Sequence, residues 1–237
     1  VVRGDFTRIV ANDSRPAAPN VILANPPYVR HHHMNRDDKE RLQTLAYQMT
    51  GIRVNGLAGL YVYFLLLATA WMEHDGIAAW LIPSEFMDVN YGSALRNFLT
   101  NRVTLLRAHR FDPKEVQFGD ALVSSVVLVF RKTPPTTGHA AQFTFGGTMT
   151  EPHVCDMIQL EQLQQSRKWT IYPSDARNDR HTLSDGNSPT FSDLFRIQSG
   201  IATGCNKFFI LERADACRRG LPPAYLRPIL PSPRYLK

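Results

Sequence analysis

Few features of this sequence point toward an extracellular or membrane setting. Cysteine is scarce. Cys155, Cys205 and Cys217 are odd in number, lie far apart and form no C-x-x-C pair. That argues against a disulfide framework or a thiolate zinc site and favours a reducing compartment, the cytoplasm. The opening "VVRGDFTRIV" lacks the basic-then-apolar pattern of a secretory signal. The longest apolar run, "LYVYFLLLATAW" at residues 60–71, falls short of the ~20 residues a membrane helix needs, so it reads as a buried helix. No internal repeat is visible. "GIATGCNK" hints at a phosphate loop, but its spacing is wrong and no Ser or Thr follows Lys207. His31, His32 and His33 do not make a metal site, because adjacent side chains point in different directions.

What is present is ordinary globular composition: 43% hydrophobic and 20% charged residues across 237 positions, enough for one sizeable domain or one domain plus part of another. The formal net charge of +6 favours a polyanion such as nucleic acid as partner and is silent on fold. Val21 to Ala24 reads as a short buried strand stopped by prolines. Residues 36–49 read as an exposed polar helix and residues 57–73 as a buried one. "GIAAWLIP" is a second strand ending at Pro83. "YGSALRNFLTN" has helical spacing at Leu95, Phe98 and Leu99. "VTLLRAHRF" and "ALVSSVVLVFRK" are third and fourth strands, the latter rich in β-branched residues. Strands alternating with helices predict an α/β fold with a mainly parallel sheet. "TPPTTG" after residue 132 reads as a linker. The expected division is therefore residues 1–140 and 141–237, with the last strand of the first domain and the start of the second both falling beyond the linker.

The segment "VILANPPYVR" poses a chemical question. Asn25-Pro26-Pro27-Tyr28 ends an apolar strand, and in open α/β sheets ligands bind at that end of the strands. Two prolines remove two N–H donors and fix two φ angles. The corner offers carbonyl acceptors, an amide in front and an aromatic ring behind, and suits a ligand that donates hydrogens. An exocyclic amino group such as N6 of adenine is a poor nucleophile, because its lone pair is delocalised into the ring. The Asn25 side-chain carbonyl and the Pro26 backbone carbonyl can each accept one of its hydrogens and localise that pair for in-line attack on a methyl sulfonium. No strong base is needed; orientation and stabilisation of developing charge do the work. Tyr28 offers a stacking face worth ~1–3 kcal/mol, which barely offsets the few kcal/mol of extruding a base. Phe118, just before the fourth strand, is the candidate second platform, although by itself it reads better as a core plug. That pairing requires the fourth strand to run antiparallel to its neighbours.

These residues resemble the NPPY-type, gamma-class DNA adenine-N6 methyltransferases of restriction–modification systems. Asn25 to Tyr28 match the catalytic motif. "GDF" at residues 4–6 resembles the segment whose Asp and Phe hold the adenine of S-adenosylmethionine. "GLYVYF" resembles the next block, with Phe64 at its aromatic position. "GIAAWLIPSEFM" resembles the strand-and-turn block after it. "QFGDALVSSVVLVF" places Phe118 where the family stacks on a flipped-out base, and "SGIATGCNKFFIL" looks like the entrance to a target-recognition region. The resemblance implies a Rossmann-like sheet and S-adenosylmethionine as cofactor, held by Asp5, Phe6, Pro27 and Phe64. It also implies double-stranded DNA as substrate and a cognate or fused restriction nuclease as partner, with neither a metal nor a membrane involved. The family's Gly-rich cofactor loop lies upstream of "GDF", and no G-x-G-x-x-G occurs here. The expectation is therefore the later half of a catalytic domain followed by the start of a recognition domain, binding cofactor weakly alone and leaving an apolar sheet edge uncovered.

Two other readings use the same residues: methyl transfer to a protein glutamine or an RNA base amino group, and a non-catalytic DNA-binding fragment. A glutamine needs no stacking pair, so Phe118 favours a base. Arg102, Arg107, Arg110, Lys114, Arg131 and Lys132 offer phosphate contacts but need no such role, and "RDDKER" reads as a solvated helix face.

Overall fold

A computed structural model describes residues 3–9, 17–112, 124–174, 194–196 and 203–229. The chain divides into two compact units, residues 1–181 and 182–237. The first holds a six-stranded sheet in the order β1-β2-β4-β3-β5-β6. Its strands are β1 (Val21–Ala24), β2 (Ile77–Pro83), β3 (Thr104–Arg110), β4 (Ser125–Arg131), β5 (Ala140–Gly147) and β6 (Pro152–Gln159). β1 pairs parallel with β2, and β3 parallel with β5. β4 lies antiparallel between β2 and β3, and β6 is antiparallel on β5. Four strands thus point one way and two the other, the α/β arrangement expected, and the fourth strand is reversed as the two-platform geometry requires.

The helices are α1 (Phe6–Ile9), α2 (Arg36–Thr50), α3 (Leu60–Trp71), α4 (Ser93–Asn101) and α5 (Leu160–Gln165). Local chemistry sets their ends. Asn35 caps α2 by accepting from the Asp38 N–H at 2.7 Å, and Gly51, at φ 70°, closes it in the left-handed conformation. α3 is apolar on almost every side, as a fully buried helix must be. One face of the sheet makes the core: Ala78, Trp80 and Ile82 of β2 alternate inward with Val126, Leu128 and Phe130 of β4. Phe98 of α4 meets Phe130 edge-on at 6.4 Å between ring centroids. On β1, the outer strand, Val21 and Leu23 are exposed.

The sheet runs past the expected boundary at residue 140. Thr133 to His139 is a turn rather than an interdomain linker, and β5 brings Ala141 and Phe143 into the same core. Trp169 is fully buried beyond them, edge-on to Phe143 at 5.8 Å and to Phe86 at 6.3 Å. The basic residues grouped by sequence are largely structural. Lys132 Nζ caps the C-terminus of α3 through the carbonyls of Ala70 (3.1 Å) and Met72. Arg131 pairs with Asp75 at 3.0 Å. Arg110 donates to the Thr170 carbonyl at 2.9 Å and lies over the Phe145 ring at 4.9 Å. Lys114 lies outside the described residues. In the second unit, residues Asn206–Phe209 and Arg213–Arg218 form short helical turns.

Candidate active site

The corner at residues 25–28 leaves β1 at the edge of the sheet where β2 also ends and the reversed β4 begins, since Pro83 pairs with Ser125. Pro26 is buried, while Asn25 and Pro27 are exposed. Among the described residues no backbone N–H donates to the carbonyls of Asn25, Pro26, Pro27 or Tyr28, whereas the next carbonyl, Val29, accepts from Leu60 N at 2.9 Å. The Asn25 amide makes no hydrogen bond among the described residues. Sequence chemistry and geometry agree here: the prolines withhold donors, and no described residue engages the acceptors.

Tyr28 is held at its far end. Its hydroxyl donates to the Leu81 carbonyl of β2 at 3.1 Å and also bonds the Ser125 side chain at the start of β4. Burial pushes the phenol above its ordinary acidity value, against the opposing effect of Ser125, so it stays a donor at neutral pH. A ring pinned at its tip has few orientations left, which suits a preset stacking face. Phe118, the expected second face, lies outside the described residues.

The residues expected at the cofactor lie beside α3. Phe6 and Phe64 pack with ring centroids 5.1 Å apart, and Trp71 is 6.2 Å from Phe6. The Asp5 carboxylate accepts from the Thr7 N–H at 2.9 Å and the Thr7 hydroxyl at 2.7 Å, which starts the α1 turn. Burial acts to raise this carboxyl. The Thr7 bonds, with Arg41 and Arg8, outweigh burial and hold it below the usual carboxylate value. The other carboxylate oxygen pairs with Arg8 at 3.3 Å, and about half of the Asp5 side chain remains open to solvent. α3 joins the two groups: Leu60 meets the corner, and Phe64, one helical turn on and on the same side, meets Phe6. Four residues of helix rise about 6 Å. The histidines form an exposed 3-10 turn, His31–His33, and no group of side chains able to hold a metal occurs among the described residues.

Residues 20–117 match the family described as the Eco57I restriction-modification methylase. The chain resembles the methyltransferases of restriction–modification systems. It is 29% identical over 209 residues to the Type II methyltransferase M.XamI of Xanthomonas campestris pv. amaranthicola, covering 87% of this chain and 38% of that protein. It is 26% identical over 230 residues to the Type II methyltransferase M.AccI of Acinetobacter calcoaceticus, covering 91% of this chain and 41% of that one. The chain thus spans about two fifths of each of these relatives. Among solved structures, the type IIG restriction endonuclease BpuSI aligns with a TM-score of 0.47 and 19% identity over 62% of this chain and 20% of its own.

Sequence reasoning singled out the corner and the aromatic pair. It passed over Ser125, whose side chain bonds the Tyr28 hydroxyl from the start of β4 and lay inside a run read only as a strand.

Proposed function

We propose that this chain carries the catalytic corner of a DNA adenine-N6 methyltransferase, acting in the cytoplasm alongside a restriction nuclease. The observation that carries this is the stiff corner at the sheet edge, whose carbonyl acceptors and Asn25 amide have no hydrogen-bond partner among the described residues while its aromatic ring is anchored. A target adenine, extruded from double-stranded DNA, stacks on Tyr28, with Phe118 as the second face. The Asn25 side-chain carbonyl and the Pro26 carbonyl accept the two amino hydrogens and draw the nitrogen toward tetrahedral geometry. Pro27 shapes the wall between base and cofactor.

The residues present fit S-adenosylmethionine: a carboxylate with open acceptor capacity beside an aromatic pair is a recognition site for an adenine ring and its amino group. Asp5, Phe6, Pro27 and Phe64 would hold it, and it supplies an electrophilic methyl sulfonium when bound. The region beyond the sheet, in the second unit, is proposed to open a target-recognition domain.

The test is labelled methyl transfer to DNA by the full-length protein, followed by digestion and identification of the modified nucleoside. N6-methyladenine is expected. Label on cytosine, on RNA alone or on a protein glutamine refutes the adenine assignment.

A further inference from the structure

The chain leaving the corner carries a group of basic side chains that the methyl transfer does not use. Val29 is fixed by the Leu60 N–H, and Asn35 caps α2. Between these two fixed points the chain makes one 3-10 turn. It is closed by His33 N on the Arg30 carbonyl at 3.0 Å and by Met34 N on the His31 carbonyl at 3.2 Å. The turn brings consecutive imidazoles into contact. The ring centroids of His31 and His32 lie 5.3 Å apart, with the planes at 88°, and those of His32 and His33 lie 4.1 Å apart at 50°. Arg30, His32 and His33 are exposed, and His31 is half-buried. The three rings make one continuous surface, and Arg30 stands between them and Tyr28 in the chain.

Several other cations have partners within the protein. Arg96 holds the 3-10 turn Ser84–Met87 after β2 through the carbonyls of Phe86 and, at 3.0 Å, Val89. Arg36 pairs with Glu40 at 2.7 Å and Arg41 with Asp38 at 3.6 Å, so these acids of α2 are engaged on their own helix. By contrast, the side chains of Arg30 and the three histidines make no hydrogen bond or ion pair among the described residues. The charges acting on His32 come from His33, His31, Arg30 and Lys39 of α2. Asp37, in the first turn of α2, is not among them, and neither is any other carboxylate. On the side of the turn Asn90–Gly92, Tyr91 is near enough to feel Arg30 and Glu85. Desolvation and the neighbouring cations hold the His32 imidazole below its ordinary value. Grouped like charges disfavour one another, and an anion laid across them removes that cost.

We propose that Arg30 and the imidazoles of His31–His33 form a ridge that grips the DNA backbone beside the target adenine by donating to its phosphate oxygens. An extruded nucleotide stays tied to its strand, whose phosphates recur every ~3.4 Å along the helix axis. Tyr28 and Arg30 are two residues apart, at most ~7 Å along the chain. With a base on Tyr28, the flanking phosphates fall within reach of the ridge. Arg30 offers a planar fork of donors, and an imidazole donates from both nitrogens once protonated. The contact is to backbone and carries no sequence information. Phosphate stabilises protonated His32, so binding raises its depressed value and takes up a proton. The gain in affinity is complete below the free-state value and is lost as pH rises through the bound-state value. The place of the ridge beside the target rests on the proposed methyltransferase reading, whereas the backbone grip is measurable without methyl transfer.

Binding of a labelled mixed-sequence DNA duplex to the full-length protein is measured by anisotropy, one pH unit below and one above the ordinary imidazole value of 6.5 and over a range of salt. Wild type is expected to bind more tightly at the lower pH, by up to about tenfold per pH unit for each proton taken up. The triple variant His31→Asn/His32→Asn/His33→Asn is expected to lose most of that pH dependence and to bind more weakly at the lower pH. Arg30→Gln is expected to weaken binding at both pH values and to lower the slope of log affinity against log salt by about one. His32→Lys/His33→Lys keeps cations at both pH values and is expected to bind tightly at both, a gain that a merely structural turn does not produce. Should the triple variant fail to fold, the lysine variant and Arg30→Gln decide. Wild-type affinity and pH dependence in the triple variant overturn the ridge, as does a wild type whose affinity is the same at both pH values. A wild type that binds with this pH dependence yet transfers no methyl group leaves the ridge standing and ends the methyltransferase reading. Methyl transfer by wild type, with no loss of DNA affinity in any variant, ends the ridge alone.

Discussion

The Tyr28 side chain makes two separable contributions, and replacing it by Phe and by Ala divides them. Tyr28→Phe keeps the ring and removes the bond to the Leu81 carbonyl at 3.1 Å. A neutral hydrogen bond contributes about 0.5–1.5 kcal/mol net, and a half-buried acceptor left alone adds desolvation cost, so ~1 kcal/mol of anchoring is lost. That corresponds to roughly a fivefold drop in transfer rate if the ring loosens, and less if packing still holds it. Tyr28→Ala removes the platform as well, costing about 1–3 kcal/mol of stacking, or roughly five- to 150-fold in occupancy of the extruded base. Single-turnover methyl transfer at saturating cofactor reads both variants, and DNA binding measured by anisotropy is expected to change little in either. If Tyr28→Phe is as damaged as Tyr28→Ala, the hydroxyl is itself the functional group and the ring is no platform. If Tyr28→Ala remains within about twofold of wild type, no base stacks there.

Gly92→Ala forces a methyl group against the Phe86 carbonyl. Overpacking of this kind costs about 1–3 kcal/mol, so urea unfolding should show a lower midpoint, and an unchanged midpoint means the turn yields freely. Tyr63 is fully buried, its hydroxyl has no hydrogen-bond partner among the described residues, and burial pushes its phenol from an ordinary value of 10.0 up to about 12. Its folded-state value is raised, so its contribution to stability is complete below pH 10.0 and is lost as pH rises toward about 12. Tyr63→Phe should therefore flatten the alkaline fall in stability and leave neutral stability equal or slightly higher, by up to ~1 kcal/mol. A sharply less stable Tyr63→Phe contradicts this.

Elements with a one-sided physical signature were legible in the sequence. α3 could only be a buried helix, since twelve successive residues offer no polar face. β2 is an apolar run stopped between Gly76 and Pro83, and the β-branched run of β4 declared itself although its observed start is Ser125. The reversal of β4 followed from a functional argument about Phe118, and strand pairing bears out the reversal. β5 and β6 were harder. Threonine, glutamine and glycine interleave with Ala141 and Phe143, and β6 exposes alternate residues as an outer strand does. With "TPPTTG" in front, that pattern looked like a domain boundary. Trp169 was illegible for another reason: its partners, Phe86 and Phe143, are brought to it by the fold. The cationic residues misled because charge shows in a sequence, whereas its use does not: Lys132 caps a helix and Arg110 ties down the segment after α5.

The central claim is that Asn25 supplies an acceptor matched to charge developing on the attacked nitrogen. Asn25→Ala in the full-length protein tests it most directly, with labelled methyl transfer and DNA affinity measured on the same preparation. Removing such an acceptor costs on the order of 10²–10³ in rate. Asn25 is exposed and its side chain bonds no other described residue, so folding and DNA binding should survive. Transfer reduced by that factor with binding intact is the predicted result. Transfer within a few-fold of wild type contradicts the account, because the corner would then be architecture rather than chemistry.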